Sequence, residues 1–131
     1  MPGLFPDYKY EHDRPYIFDQ KIVFITARVH ACETATSFMM DGLLELLTNN
    51  CEQQEALLKN FVFVLIPMLN PDGVYRGNHL CDGHGTNLNR IYNNPNKEIH
   101  PQLHAVNQIL QSYTSVHEKL YMYIDLHASE S

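Results

Sequence analysis

The sequence lacks the features that mark disulfide-bonded, membrane-spanning and nucleic-acid-binding proteins. Its three cysteines, Cys32, Cys51 and Cys81, are odd in number and far apart, so we expect neither a disulfide framework nor a Cys-x-x-Cys metal clip. Free thiols fit a reducing cytosol, and we expect a cytoplasmic protein. No apolar run approaches the roughly 20 residues that span a bilayer, and no signal peptide is expected at the N-terminus. The net charge of −6 argues against nucleic acid and anionic membranes as partners.

Three apolar runs stand out in a chain whose composition, 44% hydrophobic and 18% charged, is that of a globular protein. They are Lys21–Ala27, Phe61–Leu69 and Leu120–Leu126. Short runs rich in β-branched and aromatic residues are typical of strands covered on both faces, as in a parallel sheet. Residues 1–20, which carry several prolines, are predicted to form an extended lead-in to a single domain over 21–131.

Helical spacing of apolar residues marks the segments between these runs. The first predicted helix follows Thr34, and its predicted buried face consists of Ala35, Phe38, Met39, Gly42, Leu43, Leu46 and Leu47. A short helix is predicted over 52–59 and a longer one over 103–113. Asn70–Gly73 combines a proline that presets φ with a glycine that accepts a positive φ, which predicts a turn. This alternation of strands and helices predicts α/β architecture.

Chemically capable side chains follow the ends of the predicted strands. His30 and Glu33 follow the first strand, and His127 follows the third. Taken alone, His-x-x-Glu is common, and a loop histidine beside a helix-capping glutamate explains most instances. Sites in open α/β sheets form beyond the carboxyl ends of the strands, however, so the three side chains can meet there. Zinc takes neutral imidazole nitrogen and carboxylate oxygen, and Asp125 would support His127 from the same side of its strand.

Four motifs carry a resemblance to a known family. They are Arg28–Ser37 (RVHACETATS), Asn70–Gly73 (NPDG), Asn87–Tyr92 (NLNRIY) and Ile124–His127 (IDLH). Their order resembles that of the zinc metallocarboxypeptidases, most of all the cytosolic branch that trims glutamates from tubulin and other proteins.

The resemblance implies a three-layer α/β/α fold with a mostly parallel or mixed sheet, of which 21–131 would be an incomplete catalytic domain. It also implies hydrolysis of C-terminal residues, here glutamate, from proteins such as glutamylated tubulin. One zinc ion would be bound by His30, Glu33 and His127, and Asn89 and Arg90 would grip the C-terminal carboxylate of the substrate. A planar guanidinium suits that task because it binds a carboxylate bidentately.

The chain departs from the family pattern at four places. The family's His-Pro-Gly-Glu is His-Ala-Cys-Glu here, and Leu80 occupies the place of an arginine that stabilises the oxyanion. Arg76 lies nearby in sequence and is expected to substitute for it. Asn87 replaces the aspartate that supports the first zinc histidine in many relatives. The family's general base, a glutamate, and its substrate-capping tyrosine lie beyond the third ligand, so no residue here is assigned either role, and we expect the chain alone to be inactive.

Two alternatives remain open from the sequence. One is a catalytically dead module that keeps a zinc or peptide site, which Leu80 and the unassigned base favour. The other is a zinc amidohydrolase of the aspartoacylase kind, which shares His-x-x-Glu, an Asn-Arg pair and a distant histidine. Asn70–Gly73 favours the peptidase over the amidohydrolase.

Overall fold

The computed structural model describes residues 19–116 and 118–128, so most of the predicted lead-in over 1–20 lies outside the described residues. Three parallel strands, β1 (Lys21–Ala27), β2 (Phe61–Ile66) and β3 (Leu120–Leu126), form a sheet in the order β2-β1-β3. The central strand β1 is buried along all but its first residue because it is paired at both edges and covered on both faces. The three predicted strands are therefore confirmed.

The second strand is shorter than predicted because the chain leaves the ladder after Ile66. Pro67 follows directly and has no amide hydrogen to donate. Leu69 and Asn70 return to the main chain that follows β1, where their amides donate to the carbonyls of Ala27 (2.9 Å) and Arg28 (3.1 Å). These two bonds hold the end of β2 beside the end of β1.

The helices are α1 (Ala35–Thr48), α2 (Glu52–Asn60), α3 (Pro71–Arg76) and α4 (Pro101–Gln111), with a 3₁₀ turn at Leu88–Arg90 and a π turn at Ser112–Val116. The turn predicted at Asn70–Gly73 is instead the start of α3. Asn70 caps this helix by accepting a hydrogen bond from the Gly73 amide at 3.0 Å, and Pro71 occupies the first turn, where a missing donor does no harm. Across the described ranges, each helix is too short or too polar to cross a lipid bilayer.

Alternate residues of β1 pack against different helices. Ile22 and Phe24 join a core with Leu103 and Val106 of α4. Val23, Ile25 and Ala27 join a second core that includes Met40 of α1. Because successive side chains of a strand point to opposite faces, α4 and α1 cover opposite faces of the sheet. The predicted three-layer α/β/α architecture is confirmed.

The buried face of α1 differs from the predicted one. Phe38 and Met39 are 75% and 51% exposed, whereas Thr36 and Met40 are buried. The prediction counted apolar residues only, and it therefore passed over a threonine whose hydroxyl is satisfied inside the fold. The Thr36 hydroxyl donates to the carbonyl of Glu33 at 2.8 Å, which removes the penalty for burying it.

Candidate metal centre

The first turn of the site depends on an unusual backbone conformation at Arg28. Its φ of 58° is left-handed, which costs an L-residue roughly 1–2 kcal/mol. The Arg28 guanidinium donates to the Ala31 carbonyl at 2.6 Å and to the Ser37 hydroxyl at 2.9 Å. These bonds hold the turn that carries His30 and Glu33 without the proline and glycine of the family pattern. The sequence analysis did not identify this role for Arg28.

The turn is also tied to the polar loop after α3 and to α1. The Cys32 amide donates to the carbonyl of His79 at 2.8 Å, and the Glu33 carbonyl receives the Thr36 hydroxyl at the start of α1. Both His30 and Glu33 are buried, at 8% and 5% exposure. The local sequence thus holds an imidazole and a carboxylate rigidly at the carboxyl end of β1.

The structure brings the three predicted ligands together. Glu33 Oε1 lies 2.8 Å from His30 Nδ1, and Glu33 Oε2 lies 3.1 Å from His127 Nδ1. The Ala128 amide donates to the same Oε2 at 3.1 Å. One potential ligand atom from each of the three side chains lies within 4.8 Å of the other two. Residues 94 positions apart therefore meet because β1 and β3 are parallel neighbours whose carboxyl ends share one edge.

The outer nitrogens of both rings face hydrogen-bond acceptors. His30 Nε2 lies 3.1 Å from Asn87 Oδ1, and His127 Nε2 lies 3.1 Å from Asp125 Oδ2. The Asn87 oxygen is identified because it also accepts from the Asn89 amide at 3.0 Å. A neutral imidazole carries one N–H, and with that N–H on Nε2 each ring donates to its outer acceptor.

The inner nitrogens of the two rings then aim lone pairs at the Glu33 carboxylate. In this tautomer, two lone pairs and an anion converge on one point, which is an arrangement that suits a bound cation. Two imidazole nitrogens and one carboxylate oxygen, each ring oriented by an outer acceptor, are the donor set that a zinc site uses. The residues present therefore fit zinc.

The carboxylate at the centre of the site is held in its charged form. Burial alone would raise the pKa of Glu33, but the contacts of its carboxylate with His30, the Ala128 amide and His127 outweigh it. The net pKa of Glu33 lies below its ordinary value. An ionised carboxylate is the form that binds a metal cation.

The residues predicted to bind substrate lie on two different elements. Asn89 and Arg90 lie on the 3₁₀ turn, which the fully buried Leu88 anchors to the core. Among the residues that the structure describes, neither side chain has a hydrogen-bond partner, and Arg90 is exposed. Arg76 ends α3, and its guanidinium donates to the Gly83 carbonyl at 3.0 Å. Arg76 therefore already braces the polar loop, unlike Arg90.

Asp125 has partners that the sequence analysis missed. Thr26 donates to its Oδ1 at 2.7 Å, and Tyr92 donates to its Oδ2 at 3.0 Å. One signal was available, because Thr26 is a polar residue inside an otherwise apolar strand, and a buried hydroxyl needs a partner. No comparable signal marked Tyr92.

Comparison with known proteins agrees with this geometry. The family model described as zinc carboxypeptidase matches residues 17–131. The chain is 39% identical to cytosolic carboxypeptidase 1 of Xenopus laevis over 123 residues, which are 90% of this chain and 10% of that protein. It is 45% identical to cytosolic carboxypeptidase 6 of Homo sapiens over 111 residues, which are 84% of this chain and 22% of that protein. The chain thus spans between a tenth and a quarter of these relatives.

Solved structures show the same fold. A metallo-carboxypeptidase from Burkholderia cenocepacia aligns with a TM-score of 0.76 and 27% identity, covering 86% of this chain and 30% of that one. A metallo-carboxypeptidase from Pseudomonas aeruginosa, in complex with (2-guanidinoethylmercapto)succinic acid, aligns with a TM-score of 0.77 and 26% identity, covering 88% and 30%. With a family match over residues 17–131 and the converging ligands, the chain belongs to the zinc carboxypeptidase family.

Proposed function

We propose that this chain forms the zinc-binding and carboxylate-binding part of a cytosolic metallocarboxypeptidase that removes C-terminal residues from proteins. The observation that carries the proposal is the convergence of His30, Glu33 and His127 at one edge of the sheet. One zinc ion would be held by His30 Nδ1, a Glu33 oxygen and His127 Nδ1. When bound, zinc polarises the scissile carbonyl and acidifies a coordinated water.

The substrate carboxylate is assigned to Asn89 and Arg90. An exopeptidase must recognise the free carboxylate at the end of a chain. The exposed Arg90 guanidinium, which has no partner among the residues that the structure describes, is available for that. The Pseudomonas relative, whose solved complex contains a succinic acid derivative, supports carboxylate binding in this family. Arg76 contributes less in this proposal because it is already bonded to the Gly83 carbonyl.

Glutamate is the C-terminal residue that we propose as substrate, with glutamylated tubulin as a candidate protein. This part rests on the resemblance to the cytosolic carboxypeptidases. The cytosol is proposed as the location on the same basis. The proposal assigns the general base to no residue of this chain, so its first test is binding.

Calorimetry of the zinc-loaded chain with a peptide ending in glutamate tests the proposal. The free-acid peptide should bind, and its C-terminally amidated twin should bind poorly, since only the free acid offers an α-carboxylate to Arg90. Arg90→Lys should weaken binding of the free-acid peptide by about 1–3 kcal/mol, the scale of a charge-assisted hydrogen bond. Equal binding of the free acid and the amide would contradict the assignment of Arg90 to carboxylate binding. Absence of bound zinc would contradict the metal assignment.

A zinc-dependent peptide-binding module without turnover is the second candidate. It is favoured by Leu80, which has no donor for an oxyanion, and by the engagement of Arg76 with Gly83. Removing one oxyanion donor typically costs ~10²–10³ in rate. Glutamate release by the zinc-loaded chain or by Leu80→Arg would support the enzyme. Binding without release would support the module only in a longer protein that also supplies a general base, because no residue of this chain is assigned that role.

A further inference from the structure

The Asp125 carboxylate is held from three parts of the chain. Its Oδ1 accepts the Thr26 hydroxyl of β1 at 2.7 Å. Its Oδ2 accepts the Tyr92 hydroxyl at 3.0 Å and faces His127 Nε2 at 3.1 Å. Both oxygens are therefore engaged, and the carboxylate cannot rotate without breaking at least one of these bonds.

Strand register produces the first of these contacts. Thr26 is the direct partner of Asp125 in the parallel pair of β1 and β3. Paired residues of neighbouring strands project to the same face of a sheet, so the hydroxyl and the carboxylate lie side by side. The contact therefore follows directly from the pairing of β1 with β3.

Tyr92 supplies the second contact from outside the sheet. It follows the 3₁₀ turn that carries Asn89 and Arg90, and its carbonyl accepts a hydrogen bond from the Asn107 side chain of α4. Burial, the neighbouring hydroxyl of Tyr123 and the charge of Asp125 raise the pKa of Tyr92. Its hydroxyl therefore stays protonated and remains a donor to the carboxylate.

Tyr123 supplies a third hydroxyl, which lies beside those of Thr26 and Tyr92. Thr26 and Tyr92 each have one hydroxyl proton, and both protons point to Asp125. The Tyr123 hydroxyl lies 3.1 Å from Thr26 Oγ1 and 3.4 Å from the Tyr92 hydroxyl, so it can donate back to either oxygen. This arrangement leaves the Asp125 carboxylate with only donors around it, including the Nε2–H of His127.

We infer that Thr26 and Tyr92 are positioning residues that fix the Asp125 carboxylate, and that Asp125 in turn sets the tautomer and orientation of His127 as a zinc ligand. The inference rests on the proposed zinc site. It differs from that proposal because it concerns two hydroxyls that touch neither metal nor substrate. Outer groups that orient a ligating histidine typically contribute 10–100-fold to metal affinity.

The test measures the dissociation constant for zinc by competition with a chromogenic chelator. Tyr92→Phe and Thr26→Val each remove one hydroxyl with little change in shape, and each should weaken zinc binding about 10-fold, the lower end of the range for outer groups. Tyr121→Phe is the matched control, because Tyr121 lies on β3 with 60% exposure. Its hydroxyl lies outside the cluster formed by the hydroxyls of Thr26, Tyr92 and Tyr123. It should leave the constant unchanged.

A double-mutant cycle separates positioning from general damage. In an Asp125→Ala background, Tyr92→Phe should change the zinc constant less than twofold, because the carboxylate that it positions is gone. Equal weakening in both backgrounds would overturn the inference, and so would an unchanged constant for Tyr92→Phe and Thr26→Val in the native background. Failure of the unsubstituted chain to bind zinc would overturn the proposed function together with this inference, whereas the other outcomes bear on the inference alone.

Discussion

Replacing Glu33 by glutamine tests the centre of the site most directly. The carboxylate is buried and lies within 3.1 Å of a nitrogen of His30, of His127 and of Ala128. Glutamine keeps its shape, removes its charge and turns an amide NH₂ group toward one of the imidazole nitrogens. The variant should therefore lose affinity for zinc while the surrounding turn, which depends on Arg28 and Thr36, stays folded.

The expected size of the effect follows from linkage. Zinc at 100 times its dissociation constant stabilises the folded chain by about 2.7 kcal/mol, which for a domain of this length raises Tm by about 10 °C. Loss of a direct ligand should weaken zinc binding at least as much as loss of a group that orients a ligand. We therefore expect the affinity for zinc to fall about 100-fold. The same zinc concentration then equals the dissociation constant, and the stabilisation falls to about 0.4 kcal/mol. The shift in Tm should shrink to one or two degrees.

Calorimetric melts with zinc and with a chelator measure this shift. Glu45→Gln is the matched control, because Glu45 is an exposed residue of α1 that loses the same charge away from the site. The control should keep the full zinc-dependent shift. A full shift in Glu33→Gln as well would refute the assignment of Glu33 as a ligand and the reasoning about the converging lone pairs.

Two further predictions concern groups around the proposed zinc site. Asn87→Asp replaces an amide oxygen by a stronger acceptor for His30 Nε2, so chelator competition should show several-fold tighter zinc binding, and an unchanged constant would contradict the orienting role of Asn87. Burial raises the pKa of Tyr92 and Tyr123 above the ordinary 10.0, so neither group changes stability below pH 10, and stability falls above it as the unfolded chain releases their protons. Denaturant melts from pH 8 to 11 should show this loss, which Tyr92→Phe should reduce, and an identical loss in the variant would contradict the shift.

The strands and the meeting of His30, Glu33 and His127 could be predicted from the sequence because each leaves a local signal. Apolar runs such as Lys21–Ala27 identify buried strands, and the rule that parallel strand ends meet at one edge brings His127 to His30 without any knowledge of the helices. The prediction of a turn at Asn70–Gly73, where α3 begins, was wrong because asparagine, proline and glycine are common both in turns and at helix N-termini. Only the 3.0 Å bond from the Gly73 amide to Asn70 decides between them.

Other features of the site leave no local signal. In the sequence, Arg28 is an ordinary polar residue at the end of a strand. Its left-handed φ, and the bonds to Ala31 and Ser37 that compensate it, are seen only in the structure. Two other properties appear only in the folded chain. The side chain of Arg90 has no hydrogen-bond partner within residues 19–116 and 118–128, and Arg76 donates to Gly83. The contact with Gly83 makes Arg76 a weaker candidate for the oxyanion role that the sequence suggested for it, whereas Arg90 keeps its predicted role.

The hydroxyls around Asp125 show why ligand orientation is harder to predict than ligand identity. Thr26 and Asp125 are 99 residues apart, and their contact requires both the parallel pairing and its register, since a slip of one residue would move the threonine to the opposite face. Tyr92 and Asp125 are 33 residues apart and meet only because α4 holds the segment after the 3₁₀ turn against the sheet. A ligand is recognised by its residue type, whereas the groups that orient it can be any donor that the fold brings within reach. A search for such groups in sequence should therefore begin from polar residues in buried strands, of which Thr26 is the example here.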